Sequence, residues 1–216
     1  IRKSTGLDNN DLARLDAAYP GRFIGIAGID PLDGEEALRE TEHFALKGAC
    51  RGILLEPGFC STPLYANDQR IYPIYELCQQ HGIPVFLSFG GYVAPHLTYN
   101  SPYIIDRLAL DFPSLKLVIA HGGWPFVTEI CHVAFNRENV YLAPDLYTMN
   151  VPGNRDYLAA ANYFIPEKFL FGTAYPCVSM QQAVDYYRNW GLRPEVLPKV
   201  MYQNAADVLG VEAPSE

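Results

Sequence analysis

The chain has 216 residues, of which 49% are hydrophobic and 19% are charged, and its formal net charge is -8. This length and composition predict one globular domain, residues 1–216, whose apolar runs are far shorter than the roughly 20 residues of a membrane helix. The acidic balance and the lack of any long basic run argue against a nucleic-acid partner. The five cysteines are scattered without Cys-x-x-Cys spacing, which predicts reduced thiols in a cytoplasmic protein.

Short apolar runs alternate with helical segments along the chain. Helices are predicted at 8–19, 35–47, 68–81, 101–112, 127–136, 154–164, 179–190 and 195–209, and strands at 22–30, 50–57, 84–89, 116–121, 140–147 and 168–176. Six strands separated by helices predict a parallel α/β fold. A nucleotide-binding doubly wound sheet is disfavoured, because no Gly-x-Gly-x-x-Gly follows a strand.

One histidine stands where a predicted strand ends. The apolar run 117–120 leads directly into His121, and Gly122 and Gly123 follow. A short, continuously apolar run is typical of a strand buried on both faces, and catalytic residues of parallel barrels gather at the carboxyl ends of strands. A histidine there can bind a metal or move a proton. We therefore predict a functional role for His121; the alternative is a core histidine hydrogen-bonded to a neighbour.

Five segments carry a resemblance to a known family: YPGRFIG at 19–25, GIPVFL at 82–87, FPSLKLVIAHGG at 112–123, FLFGTAYP at 169–176 and NAADVLG at 204–210. In these segments the chain resembles the amidohydrolase-related family often called amidohydrolase 2. Its members include aminocarboxymuconate-semialdehyde decarboxylase, resorcylate decarboxylases and pyrone-dicarboxylate lactonase. The resemblance implies a (β/α)8 barrel of the TIM type, in which the six predicted strands are the third to the eighth.

The first strand of this family ends in His-x-His, a pair of metal ligands that this sequence does not contain. Because a barrel closes only when strand number, tilt and shear agree, we expect the first one to two βα units in an N-terminal segment outside this sequence. A fragment, or a second chain that completes the barrel, is the alternative.

The resemblance also implies a divalent metal such as zinc, but two of its ligand positions are changed. Ser88 stands where the fifth strand of the family ends in a metal-binding histidine. Ala174 replaces the aspartate of the eighth strand, and Leu54 replaces the fourth-strand lysine of some relatives. His121 matches the general acid/base of the sixth strand. Serine and alanine are poor zinc ligands, so we predict no tightly bound metal among Ser88, His121 and Ala174.

These positions favour an enzyme, a hydrolase or decarboxylase that acts on a small carboxylated or cyclic compound with His121 as general acid/base. The alternative is a catalytically degenerate, metal-free barrel that binds a small molecule. A homo-oligomer is a possible assembly.

The candidate residues for substrate binding lie at or after strand ends. His96 could replace the ligand lost at Ser88, or be a surface loop histidine. Glu56 could be a ligand or base, or form a salt bridge with Arg51 or another residue of the barrel. We expect the strand-end positions to converge on one pocket. The substrate-binding candidates are Glu56, Ser88, His96, Asp145 and Tyr175, and the expected pocket is formed by Glu56, Ser88, His121, Asp145 and Ala174.

Overall fold

The structure is a computed structural model that describes residues 8–92 and 94–212. Within these residues lies a parallel sheet of five strands, which are hydrogen-bonded to one another in chain order. The strands are β1 (Ile26–Ile29), β2 (Gly52–Leu55), β3 (Val85–Ser88), β4 (Leu117–Ala120) and β5 (Val140–Ala143). Helical segments follow the strands, as in part of a (β/α)8 barrel.

The register of the sheet aligns the carboxyl ends of neighbouring strands. Ser88 lies opposite Ala120, and Ala120 lies opposite Ala143. On the other side, Leu55 is opposite both Ile29 and Leu87. The residues that follow these strands therefore emerge along one edge of the sheet.

The sixth predicted strand is much shorter than expected. The segment 168–176 forms one isolated parallel bridge, between Phe169 and Leu142. The N–H of Leu142 donates to the carbonyl of Lys168 at 2.8 Å, and the N–H of Leu170 donates to Leu142 at 2.8 Å. The N–H of Phe171 then turns to the carbonyl of Val200 at 2.9 Å. Pairing stops there because the backbone is hydrogen-bonded to a helical segment.

The predicted helices are all present, with small changes in their bounds. The third begins at Tyr72 and not at 68, because the carboxylate of Asp68 accepts the N–H of Arg70 in a turn (3.0 Å) that precedes the helix. The seventh begins with a capping box at Ser179. The helices are α1 (Asn9–Ala18), α2 (Glu35–Thr41, continued by a π-helical turn at Glu42–Leu46), α3 (Tyr72–His81), α4 (Pro102–Asp111), α5 (Val127–Asn136), α6 (Asn154–Ala159, continued by a π-helical turn at Ala160–Phe164), α7 (Met180–Asn189) and α8 (Asn204–Leu209, preceded by a π-helical turn at Lys199–Gln203).

The sheet is buried on both faces, as predicted for β4. Leu117 and Ile119 belong to the large apolar cluster that the sheet forms with the helices, and both are fully buried. Val118, which points to the opposite face, packs in a second cluster with Leu170 and Val208. A strand covered on both sides holds its ends rigidly, which fixes the position of the residues that follow.

All five cysteines lie within the described residues and are free thiols. Burial raises the pKa of Cys78 and of Cys131 to about 12, so both remain protonated packing residues. Among the described helices, none combines the length and the apolar character needed to cross a bilayer.

Candidate functional site

Five sequence-predicted positions lie along the carboxyl edge of the sheet, and we call them the rim: Glu56, Ser88, His121, Asp145 and Ala174. Four of them follow or end β2, β3, β4 and β5 in turn. The fifth, Ala174, lies in the segment after Phe169. This segment runs close to Asp145, since a Cβ placed on Gly172 would be 3.0 Å from the Cβ of Asp145. The structure brings four of the side chains together as two pairs.

The first pair is His121 and Asp145. The Nδ1 atom of His121 lies 2.7 Å from Oδ2 of Asp145, and the two side chains are 24% and 8% exposed. A carboxylate only accepts hydrogen bonds, so Nδ1 carries the proton and donates. The other ring nitrogen, Nε2, is left to exchange a proton with a bound molecule, which is how a histidine acts as general acid or base.

Three of the five rim residues have a strained backbone. His121, Asp145 and Ala174 have φ angles of 64°, 48° and 50°, and the only other non-glycine residue with positive φ in the described part is Asn150. A non-glycine residue in this conformation costs on the order of 1–3 kcal/mol, and such residues cluster at functional sites. Three of them at the ends of successive parallel segments therefore mark the rim as the candidate site.

The turn below His121 depends on a glycine. Gly122 has a φ of 61°, and a Cβ there would lie 2.7 Å from the Cβ of Pro144. Its carbonyl accepts a hydrogen bond from the Tyr157 hydroxyl at 2.9 Å. On the other side, the Thr148 hydroxyl donates to the carbonyl of Asp145 at 2.8 Å. These contacts hold both strained residues in place.

An aromatic pair that the sequence reasoning missed borders His121. The ring of Tyr147 meets the His121 ring edge to face at 5.9 Å and stacks on Trp124 at 5.3 Å. A Cβ on Gly91 would lie 1.9 Å from the Tyr147 hydroxyl oxygen, so Gly91 makes room for this ring. Burial, and then the charge of Asp145, raise the pKa of Tyr147. The available sequence signal was proximity, since Trp124 directly follows His-Gly-Gly and Tyr147 is two residues after Asp145.

The second pair is Ser88 and Glu56. The Ser88 hydroxyl, whose residue is 6% exposed, donates to Oε1 of Glu56 at 2.9 Å. Nearby, burial and then the charge of Asp30 raise the pKa of Cys60 to about 12. The predicted alternative was a salt bridge of Glu56 with Arg51 or with another residue of the barrel; the second stays a prediction, and the geometry speaks against the first. Arg51 precedes β2 and Glu56 follows it, so a four-residue strand separates the two at about 3.3 Å per residue.

His96 and Tyr175 lie in loops of the same face. His96 is exposed, its Nδ1 lies 2.8 Å from the Thr98 hydroxyl, and its ring meets Tyr99 edge to face. Tyr175 is 68% exposed. Neither forms one of the two hydrogen-bonded pairs of the rim, and their predicted roles in substrate binding stay predictions.

The described residues do not fit a divalent metal site. Among them, no group of three or more His, Cys, Asp or Glu side chains is placed to hold a metal ion. The Ser88 oxygen is bound to Glu56, Nδ1 of His121 is bound to Asp145, and Ala174 has no lone pair to offer. A catalytic zinc normally takes three protein ligands, so these side chains alone do not supply a site.

A partial (β/α)8 barrel with a His–Asp pair at its carboxyl rim defines the structural class of this protein. The amidohydrolase family model matches residues 2–211, and the chain therefore belongs to the amidohydrolase family. The predicted family and fold class are confirmed.

Three comparisons illustrate the relationship. An uncharacterised TIM-barrel protein of Bordetella bronchiseptica is 39% identical, with a TM-score of 0.90 over 94% of this chain and 72% of that one. Gamma-resorcylate decarboxylase of Polaromonas sp. (strain JS666) is 21% identical over 93% of this chain and 74% of its own length. The 5-carboxyvanillate decarboxylase of Novosphingobium aromaticivorans, solved with manganese and 4-hydroxy-3-methoxy-5-nitrobenzoic acid, has a TM-score of 0.74 at 15% identity, over 97% of this chain and 70% of that one. The chain thus spans about three quarters of the length of each of these three proteins.

Proposed function

We propose that this chain is part of an enzyme that decarboxylates or hydrolyses a small carboxylated ring compound, with His121 as general acid/base. The names of the two decarboxylases support decarboxylation as the preferred reaction. The observation that carries the proposal is the hydrogen bond between His121 and Asp145, formed by two residues with strained backbone.

The pair is suited to moving one proton. When His121 is doubly protonated, the carboxylate of Asp145 stabilises the positive imidazolium through the bond at Nδ1. In decarboxylation, Nε2 donates its proton to the ring carbon that carries the carboxylate group. The bond between that carbon and the carboxylate then breaks, its electron pair returns to the ring, and carbon dioxide leaves. In hydrolysis, the neutral Nε2 would instead take a proton from the attacking water.

The remaining candidate residues are assigned to substrate contact. Glu56, fixed by Ser88, presents a hydrogen-bond acceptor to a hydroxyl or amine of the substrate. His96 and Tyr175 lie in the loops above the rim and would contact the part of the substrate that does not react. No step is assigned to a metal, because the described residues do not form a site for one.

The test is the substitution His121→Asn in the full-length protein, assayed for carbon dioxide release from a panel of hydroxylated benzoic acids. Asparagine can donate to Asp145 and tolerates positive φ, so the fold should be kept while proton transfer is lost. We expect a loss of activity of about 10²- to 10⁴-fold. The control is His132→Asn, in an exposed position on α5, which should keep full activity. An active His121→Asn variant would refute the role of His121.

A binding barrel without catalysis is the second candidate, and Ser88 and Ala174 favour it because they remove two ligand positions of the family. In that case a panel compound would raise the Tm of the protein but would not be turned over. Measured turnover that His121→Asn abolishes would exclude this candidate.

A further inference from the structure

Two short turns follow β4 and β5, and each carries one member of the His121–Asp145 pair. The first is His121–Gly123, and the second is Asp145–Thr148. Tyr147 lies inside the second turn, and its ring meets the His121 ring edge to face, with 5.9 Å between the ring centroids. The second turn therefore contacts the imidazole twice, once through the hydrogen bond at Nδ1 and once through an aromatic ring.

The hydrogen bond alone does not fix the direction of the imidazole. An N–H···O bond prefers angles above about 150° and weakens steeply only below about 120°, so the ring can tilt while Nδ1 of His121 stays bonded to Asp145. Such a tilt moves Nε2, the atom that exchanges the proton, because it lies on the far side of the ring. A misplacement of about 1 Å in a reacting group can cost about 10²-fold in rate. The ring of Tyr147 stands in the way of this tilt.

The Tyr147 ring is itself enclosed. It is buried and stacks on the indole of Trp124, with an interplanar angle of 20°. The indole Nε1 donates to the carbonyl of Pro152 at 3.1 Å. On the hydroxyl side, a Cβ on Gly91 would be 1.9 Å from the Tyr147 oxygen and 2.4 Å from its Cζ, and the N–H of Gly91 donates to the carbonyl of Trp124 at 2.8 Å. The ring therefore has little room to move away from the imidazole.

The turn that carries Tyr147 is fastened as well. The N–H of Tyr147 donates to the carbonyl of Pro144 at 3.0 Å, and the Thr148 hydroxyl donates to the carbonyl of Asp145. The hydroxyl of Tyr186, on α7, donates to the carbonyl of Thr148. One rigid turn thus presents both the carboxylate and the aromatic ring to His121.

We propose that Tyr147 is a positioning residue for His121, whose ring limits the tilt of the imidazole so that Nε2 keeps one direction. Asp145 determines which nitrogen carries the proton, and Tyr147 determines where the other nitrogen points. The contact is made between the rings, so phenylalanine should be able to replace the tyrosine. The effect on catalysis rests on the proposed function, but the effect on the order of the His121 ring does not.

The experiment compares Tyr147→Leu and Tyr147→Phe with the wild type by ¹³C relaxation of the histidine rings in the full-length protein. His121→Asn identifies the His121 signals. We expect an order parameter of about 0.85 for the His121 ring in the wild type and below about 0.6 in Tyr147→Leu, the values that separate rigid from flexible backbone groups. Tyr147→Phe should restore the wild-type order. With a substrate of the panel, Tyr147→Leu should lower kcat by about 10- to 10²-fold with little change in KM.

The matched control is Phe44→Leu. The rings of His43 and Phe44 also meet edge to face, at 4.7 Å and with an interplanar angle of 79°, in the π-helical turn that continues α2. The substitution therefore removes a ring that contacts a histidine outside the rim. It should leave both the order of the His121 ring and kcat unchanged.

Three results would overturn the proposal. They are a His121 order in Tyr147→Leu equal to that of the wild type, an equal loss of that order in Phe44→Leu, and an unchanged kcat despite a lowered order. Should Tyr147→Leu fail to fold, the wild type decides. A nuclear Overhauser effect between the ring protons of His121 and Tyr147 together with a rigid His121 ring would support the proposal, and the lack of either would refute it. The ring measurements need no substrate, so they stay separate from the activity test of His121.

Discussion

The two halves of the rim are built differently, although they share one sheet. At β2 and β3, the residues Glu56 and Ser88 form a hydrogen bond between a carboxylate and a hydroxyl, and neither has positive φ. At β4 and β5, His121 and Asp145 have strained backbone and pair an imidazole with a buried carboxylate. Strain and a titratable ring occur together in the second half only. The difference agrees with the proposed function, in which the β4–β5 half moves the proton and the β2–β3 half contacts the substrate.

The largest effect expected from this comparison is on activity, from Asp145→Asn. Asparagine keeps the size and tolerates the positive φ, but it removes the charge that stabilises the imidazolium. We expect kcat to fall by about 10²- to 10⁴-fold with little change in KM, measured with the best compound of the substrate panel.

The matched control is Asp106→Asn, which removes a carboxylate that binds Arg137 at 2.8 Å away from the rim. It should leave kcat unchanged. If both substitutions reduce kcat equally, charge at Asp145 has no special role.

The next effect concerns metal. Ser88→His together with Ala174→Asp restores two ligand types in the full-length protein, and the φ of 50° at Ala174 suits an aspartate. Calorimetric titration with zinc or manganese should show at least about tenfold tighter binding than the wild type. The control is Ser114→His with Ala159→Asp, which adds the same two side chains at exposed positions away from the rim. This control should not bind zinc or manganese more tightly than the wild type. Unchanged affinity, or a wild type already saturated at this pocket, would contradict the prediction.

A smaller effect is expected from Ser88→Ala. It removes the hydrogen bond that the Ser88 hydroxyl donates to Glu56 in a half-buried position, so the free energy of unfolding should fall by about 0.5–1.5 kcal/mol in urea denaturation. The control is Thr128→Ala, which removes a hydrogen bond of 2.9 Å between the Thr128 hydroxyl and the Glu129 carboxylate. Because this bond is exposed to solvent, its loss should lower the free energy of unfolding by less than about 0.5 kcal/mol. A Ser88→Ala variant that loses as much activity as Asp145→Asn would erase the distinction between the two halves.

The smallest effect is expected from Ala174→Gly. Glycine adopts positive φ without the penalty of an alanine Cβ, which is roughly 1–2 kcal/mol, but it also gives the unfolded chain more freedom. The net change should be a stabilisation of up to about 1 kcal/mol in the same denaturation assay. Ala159→Gly, on the exposed side of α6, should destabilise by about 1 kcal/mol. A destabilised Ala174→Gly would mean that the alanine methyl packs against the rim.

The sequence predicted what depends on local pattern. Continuous apolar runs located five strands, and the glycines after His121 indicated a turn at a strand end. The sixth strand was predicted to be longer than it is, because the N–H of Phe171 donates to the carbonyl of Val200 and not to a neighbouring strand. Val200 lies 29 residues from Phe171, so no local pattern shows this contact. The bond between Glu56 and Ser88 was not predicted, because a residue pattern does not show which side chains meet across neighbouring strand ends.

The order of the strands has a consequence for how the chain folds. Each strand of the sheet is bonded to the strand that precedes it in the chain, so every pairing closes a loop of only one βα unit. The entropy of closing such loops is modest, and topologies of this kind fold faster than those that join distant segments. A growing sheet can therefore add strands one after another as they leave the ribosome. The rim would be assembled in the same order, with the Glu56–Ser88 bond formed before His121 meets Asp145.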